Sequence, residues 1–174
     1  MSGESPSRSN ISLPENQNLL LEALLKTGKP VVMVLFTGRP LELNWENKNL
    51  PSILNVWFGG TQAGHAIADV IFGNVNPSGK LPATFPQNVG QVPIYYNHKN
   101  TGRPLEEGKW FHKYRSNYLD VTNDPLFPFG YGLSYTTFTY SDLKLDKTQL
   151  KGNETLKASV EITNNGNYDG SEVV

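Results

Sequence analysis

Apolar and polar residues alternate with a rhythm that changes along the 174-residue chain, and each rhythm predicts a different element. The stretch "SLPENQNLLLEALLKTG" reads as a helix, because Ser12 and Glu15 stand at capping-box spacing, Pro14 lies in the first turn, and Gly28 follows the last apolar turn. "KPVVMVLFTG" follows, with a continuous apolar run from Val31 to Phe36 rich in β-branched residues. That pattern predicts a strand covered on both faces, as in a parallel sheet. "SILNVWFGG" repeats it and predicts a second strand over Ile53–Phe58, a parallel neighbour of the first. "TQAGHAIADVIFG" then sets Ala63, Ala66, Ile67, Val70 and Ile71 at helical spacing before Gly73. Strand, crossover, strand and helix together predict an α/β domain.

After Gly73 the periodicity disappears. "NVNPSGKLPATFPQNVGQVPIYYNHKNTGRPLEEGKW" is crowded with Pro, Gly and Asn, and a long stretch of that kind inside a folded protein is usually functional or an interdomain strap. "LFPFGYGLSYTTFTYSDLKLD" brings aromatics and alternation, and "TLKASVEITNNGNYDGSEVV" alternates Ala158, Val160 and Ile162 before an Asn-Gly turn. These are expected to be the first strands of a β-sandwich. A complete sandwich needs about seven strands and only about three fit before Val174, so the chain is expected to be cut short. The boundaries that result are 1–86 for the α/β part, 87–134 for a connector and 135–174 for the sandwich start.

Composition removes several function classes. A formal net charge of −1 gives no electrostatic reason to expect nucleic acid or an anionic membrane as a partner. The absence of cysteine excludes disulfides and thiolate metal sites. Val31 to Phe36, the longest apolar run, is far too short to span a bilayer, and no basic-then-apolar signal segment opens the chain.

Candidate chemistry is sparse on residues alone. "FGGTQAGH" places glycines between a strand and a helix, where N–H groups can hold an anion, but it lacks the spacing of a dinucleotide or phosphate loop, and a tight structural turn is the expectation. His65, His98 and His112 are too scattered for local metal-ligand spacing. No G-x-S-x-G elbow is present. Trp45, Trp57, Tyr95, Tyr96, Trp110, Phe111 and Tyr114 are residue types that form sugar platforms, and packing accounts for them equally well. Asn10 and Asn153 begin sequons, a pattern common by chance.

Longer phrases carry more. "GKPVVMVLFTGRPLELNW", "WFGGTQAGHAIADVIFGNVNPSGKLPATFP" and "PLFPFGYGLSYTTFTYSDL" closely resemble glycoside hydrolase family 3 of the bacterial β-glucosidase type, and the similarity runs almost end to end. The resemblance implies a C-terminal fragment of a protein built from a (β/α)₈-like barrel, a second α/β sandwich domain and a fibronectin-III-like domain. The fold class it implies is α/β: a partial, flavodoxin-like α/β sandwich with a parallel sheet, followed by the start of a fibronectin-III-like β-sandwich.

The same resemblance implies a retaining exo-β-glycosidase acting on a β-glucoside or oligosaccharide, with β-xylosidase as the nearest enzymatic alternative. The nucleophile, an Asp, would come from the missing N-terminal barrel, and nothing in this chain resembles that domain. The acid/base Glu of many relatives lies in a stretch of the form Ser-Gly-Glu-x-x-(Ser/Asp)-Arg before the helix leading to the "GKPVVMV" strand. Ser2, Gly3, Glu4, Ser7 and Arg8 match it, which makes Glu4 the candidate acid/base and Arg8 a candidate substrate contact. Glu15, Glu42 and Glu46 are rivals by charge, but they fall at an expected helix start or post-strand turn, where capping and solvation account for them. No cofactor or metal is implied, and the parent is expected to be periplasmic or secreted. By itself the chain is expected to act as a non-catalytic carbohydrate-binding or structural module.

Overall fold

A computed structural model describes residues 5–100 and 102–174, and its first helix, α1, spans Glu15–Leu25. Pro14 is its N-cap, with φ −57°, ψ 139° and no side-chain cap, and the Pro14 carbonyl accepts from the N–H groups of Gln17 at 2.9 Å and Asn18 at 3.3 Å. The capping box expected of Ser12 and Glu15 is therefore not formed. Its reciprocal bond needs an N–H at the N-cap, which proline lacks. Ser12 is engaged elsewhere: its N–H donates to Asn10 Oδ1 at 2.9 Å, and it is bridged in parallel to Glu42. Beyond the helix, Gly28 takes φ +71°, a conformation that strains any L side chain and suits a glycine after a helix end.

Strands β1 (Val32–Leu35) and β2 (Ser52–Asn55) pair in parallel, with Val32 opposite Ser52 and Leu35 opposite Asn55. A short helix, α2 (Asn44–Asn49), lies on the crossover between them. The parallel pairing agrees with the sequence pattern, whereas the expected covering of both faces does not. Met33 and Leu35 are buried, but Val32 is exposed and Phe36 is 60% exposed, so the described residues cover β1 on one side only. β2 also ends earlier than its apolar run, because Trp57 turns the backbone at φ +49° and swings its ring into the core.

That core consists of Met33, Leu35, Leu43, Leu50 and Phe85, with Leu21 and Leu25 of α1, Trp57 and Phe127 packed against it. Phe85 comes from the Pro- and Gly-rich stretch, and backbone bonds place it there: its N–H donates to Phe127 O at 2.8 Å, and its carbonyl accepts from Leu126 N at 2.9 Å. Trp57, Phe85 and Phe127 then form a chain of rings, with centroids 5.8 and 6.1 Å apart. Gln91, buried at the end of a 3₁₀ turn over Val89–Gln91, closes the same layer by donating to the carbonyls of Thr122 and Asp124 at 2.8 and 3.1 Å. Buried amides of this kind hold irregular backbone without a ladder.

The chain divides into two compact units, the first running to Gly64 and resuming over Leu81–Tyr131, the second made of His65–Lys80 and Gly132–Val174. Helix α3 (Ala63–Ile71) leads into the second unit, which holds β3 (Phe138–Tyr140), β4 (Lys144–Leu145), β5 (Ala158–Ser159) and β6 (Ile162–Asn164). β3 pairs antiparallel with β6, and β4 with β5. The alternation through Ala158, Val160 and Ile162 is thus shared between two short strands. Between the ladders, Ser141 N–H donates to Glu161 O and Ser141 Oγ accepts from Glu161 N–H, both at 2.9 Å, so a side chain interrupts the pairing. Asn76 ties this segment to the turn after α3: its Oδ1 accepts from Ser134 Oγ at 2.9 Å and Tyr135 N at 2.8 Å, and its Nδ2 donates to Asp169 O at 3.0 Å. Lys80 adds an ion pair to Glu172 at 3.1 Å and a bond to Gly132 O at 2.9 Å.

Candidate functional site

Glu4, the candidate acid/base, lies outside the described residues. Arg8 is exposed on the irregular segment ahead of Asn10 and makes no ion pair with a described residue. Of the rival carboxylates, Glu15 is exposed in the first turn of α1 and Glu42 is half-buried beside the bridge to Ser12.

Glu46 departs from its expected role. It is only 3% exposed, so solvation does not account for it. On α2 and its flanks, Leu43, Glu46 and Leu50 recur at three- and four-residue intervals and are all buried, which puts the carboxyl on the inward face between two leucines. Burial pushes the Glu46 carboxyl above its ordinary value; the Glu46 backbone N–H opposes the shift, and the charge of Glu42 adds to it. The spacing was readable in the sequence, but only once the length and position of α2 are fixed.

The carboxyl ends of β1 and β2 form a second polar locus. In parallel sheets, ligands bind beyond those ends. Thr37, buried just after β1, donates through Oγ1 to Arg39 O at 2.8 Å and fixes the turn. Asn55, the last residue of β2, has both amide atoms buried with no partner among the described residues. Phe58 follows on the exposed "FGG" turn and is 76% exposed. Gly59 of that turn serves packing, since a Cβ there would collide with Ala63 Cβ, whereas Gly60 faces open space.

The aromatic set separates into two groups. Trp57 belongs to the core and Trp45 is half-buried, whereas Tyr95, Tyr96, Trp110, Phe111 and Tyr114 are exposed along the irregular part of the first unit. Tyr96 stacks on Phe129 with centroids 4.5 Å apart and planes at 20°. Tyr114 is 72% exposed and sits at φ +66°, a conformation rare for a bulky residue. Its turn is held by Arg115 N to His112 O at 3.2 Å, Ser116 N to Arg103 O at 2.8 Å and Asn123 Nδ2 to Ser116 O at 2.9 Å. Among the described residues no three His, Asp or Glu side chains gather where they could hold a metal ion, and no helix is long and apolar enough to cross a membrane.

Comparison with known proteins places these features in a lineage. Residues 1–135 match the family model described as the glycosyl hydrolase family 3 C-terminal domain. The chain is 53% identical over 174 residues to the periplasmic beta-glucosidase of Salmonella typhimurium, and 49% identical over 172 residues to a beta-xylosidase of Formosa agariphila. It covers 100% and 99% of itself in these matches but only 23% of either relative. Among solved structures, the beta-glucosidase of Listeria innocua in complex with isofagomine superposes with a TM-score of 0.83 at 45% identity, covering 93% of this chain and 22% of that one. The same enzyme has been solved with glucose, and a mutant of it with laminaribiose.

Proposed function

Because the chain belongs to glycosyl hydrolase family 3, we propose that it is the later part of a retaining exo-β-glycosidase that removes terminal β-D-glucosyl residues. The carrying observation is the 53% identity to a beta-glucosidase over the full 174 residues. In this reading Glu4 is the acid/base, Arg8 contacts substrate, and the nucleophilic Asp comes from an N-terminal barrel domain that this sequence does not contain. Residues 1–86 then belong to a flavodoxin-like α/β sandwich, 87–134 to its connector, and 135–174 to a fibronectin-III-like sandwich. A periplasmic or secreted location is part of the reading, supported by the Salmonella relative. β-Xylosidase specificity is the second reading, favoured by the 49% identity to the Formosa enzyme.

The chemistry follows from two carboxyl groups about 5–5.5 Å apart. The ionised Asp attacks the anomeric carbon while the protonated Glu4 gives its proton to the departing glycosidic oxygen, leaving a glycosyl ester and a Glu4 carboxylate. That carboxylate then takes a proton from water as the water attacks the ester, which releases the sugar and returns Glu4 to its acid form. In the protein carrying its barrel, Glu4→Gln is expected to slow hydrolysis of unactivated β-glucosides by about 10²–10⁴-fold while leaving glycosylation by activated aryl glucosides nearly intact. Azide should restore turnover of the activated substrates by replacing water in the second step. Full activity of Glu4→Gln on an unactivated β-glucoside would assign Glu4 to the solvated tail.

A further inference from the structure

The 174-residue sequence contains Asn-Gly once, at Asn165–Gly166, just beyond β6. Asn-Gly favours a tight hairpin, yet among the described residues no later strand pairs back on β6, so hairpin geometry does not account for it. Packing accounts for the glycine: a Cβ on Gly166 would collide with the hydroxyl of the buried Thr136. Asn165 is therefore followed by a backbone nitrogen that no side chain can shield. Asparagine is a thermolabile residue, and its side-chain amide is open to attack by the nitrogen of the residue after it. Asn165 and Gly166 are both exposed. Two bonds restrain the reacting groups: Asn165 Nδ2 donates to Thr139 Oγ1, and Gly166 N–H donates to Asn164 Oδ1, both at 3.0 Å. Both bonds are exposed, so water competes for each partner and each restraint is weak. The backbone around them is held more firmly. Asn165 N–H donates to Thr137 O at 2.9 Å beside the β3–β6 ladder, and Asn164 Oδ1 also accepts from Thr136 Oγ1 at 2.6 Å.

We propose that Asn165 is a modification site, deamidating spontaneously to aspartate and isoaspartate through a succinimide closed by Gly166. The Gly166 nitrogen gives its proton to hydroxide and attacks Asn165 Cγ. An N–Cγ bond forms, the Cγ–Nδ2 bond breaks, and Nδ2 takes a proton from water and leaves as ammonia. Water then opens the ring, at Cγ to give aspartate or at the Asn165 carbonyl carbon to give isoaspartate, with no oxidant or reductant involved. Isoaspartate adds a carbon to the backbone between the Asn165 N–H, bonded to Thr137, and Gly166, packed on Thr136, so the end of the β3–β6 ladder loosens. Ageing the full chain in mildly alkaline buffer, followed by trypsin and mass spectrometry, tests this. Cleavage after Lys157 frees the C-terminal peptide, which should gain the mass that separates aspartate from asparagine, with fragment ions placing the change at Asn165 and isoaspartate exceeding aspartate. Asp169–Gly170 in the same turn can cyclise too, but it loses and regains water without a change of mass. The rate should rise with pH, because the nucleophile is the deprotonated nitrogen. Thr139→Val keeps a β-branched side chain and removes the acceptor, and it should speed the reaction by about two- to tenfold, the worth of one exposed hydrogen bond. Asn165→Gln, which would have to close a larger ring, should abolish it. Hydrogen exchange at the residue 165 N–H should quicken in the aged parent and stay constant in aged Asn165→Gln, with circular dichroism confirming that both variants fold. Aspartate without isoaspartate overturns the proposal, as does faster reaction at Asn164 or Asn167, or a native chain that stays unmodified while the urea-unfolded chain reacts.

Discussion

Glu46 shows how one residue can be misread from its surroundings in the sequence. Flanked by Asn44, Asn47 and Lys48, it looks solvated, yet helical spacing from Leu43 to Leu50 turns it inward and burial holds its carboxyl towards the protonated form. The linkage has a definite sign. A carboxyl whose value is raised on folding binds its proton more tightly in the folded state than in the unfolded one. Its contribution to stability is therefore greatest below the unfolded-state value of about 4.3 and falls as pH rises from there through the folded-state value. Glu46→Gln keeps the shape and removes the charge. Urea denaturation should show the variant more stable than the parent at neutral pH, by about 1.4 kcal/mol for each pK unit of the shift, and nearly equal to it at a pH of about 3.5. A variant destabilised at neutral pH but equal to the parent at a pH of about 3.5 would show that the ionised carboxylate acts as a necessary acceptor.

At the scale of elements, Asn76 does for the second unit what a ladder does elsewhere, since one amide satisfies the Tyr135 N–H, the Ser134 hydroxyl and the Asp169 carbonyl. Asn76→Ala leaves a backbone donor and a backbone acceptor without partners, at about 1–3 kcal/mol for a buried group and less where water reaches. Native-state hydrogen exchange should speed up at Tyr135 and through β3 and β6, with little change at Met33 and Leu35 in the other unit. Unchanged exchange at Tyr135 would show that the amide is incidental. The regular elements were the most legible: α1, β1 and α3 lie where periodicity put them, β2 overlaps its expected run but stops at Asn55, and the parallel pairing of the two runs follows from their being joined by a crossover. Hydrogen-bond partners distant in sequence were not legible. No local pattern tells that Phe85 pairs with Phe127, that Gln91 caps Thr122, or that the "NVNPSGK" turn joins the strands near Tyr135. Of the candidate carboxylates, Glu4 in the Ser-Gly-Glu stretch was legible by resemblance alone, whereas the inward placement of Glu46 needs the helix that the fold supplies.

For the molecule as a whole, the relevant fact is that the chain spans 23% of the length of its Salmonella and Formosa relatives. The surfaces of the first unit have the character of an interior. α1 exposes Leu19, Leu20 and Leu24 while Leu21 and Leu25 pack on the core, and Val32 in β1 and Phe36 just after it are exposed on the face away from Met33 and Leu35. A helix that exposes three leucines beside those packed on the core, and a strand apolar on both faces, are surfaces that a larger protein can cover. Under the proposed reading the catalytic parts are divided in the same way, with the acid/base here and the nucleophile elsewhere. General acid assistance alone is worth about 10²–10⁴-fold, far short of what hydrolysis of a glycosidic bond requires, and without a second carboxyl about 5–5.5 Å away no glycosyl ester forms. The 174-residue chain is therefore expected to release no measurable nitrophenol from an aryl β-glucoside. Supplying an N-terminal family 3 barrel, fused to the chain or mixed with it, should produce hydrolysis that is lost with Glu4→Gln on unactivated substrates. Mixing should also quench the binding of a hydrophobic dye to the apolar faces of α1 and β1, because the added protein would cover them. Turnover by the chain alone at the rate of the fused protein would place both carboxyl groups within this sequence and remove the barrel from the mechanism.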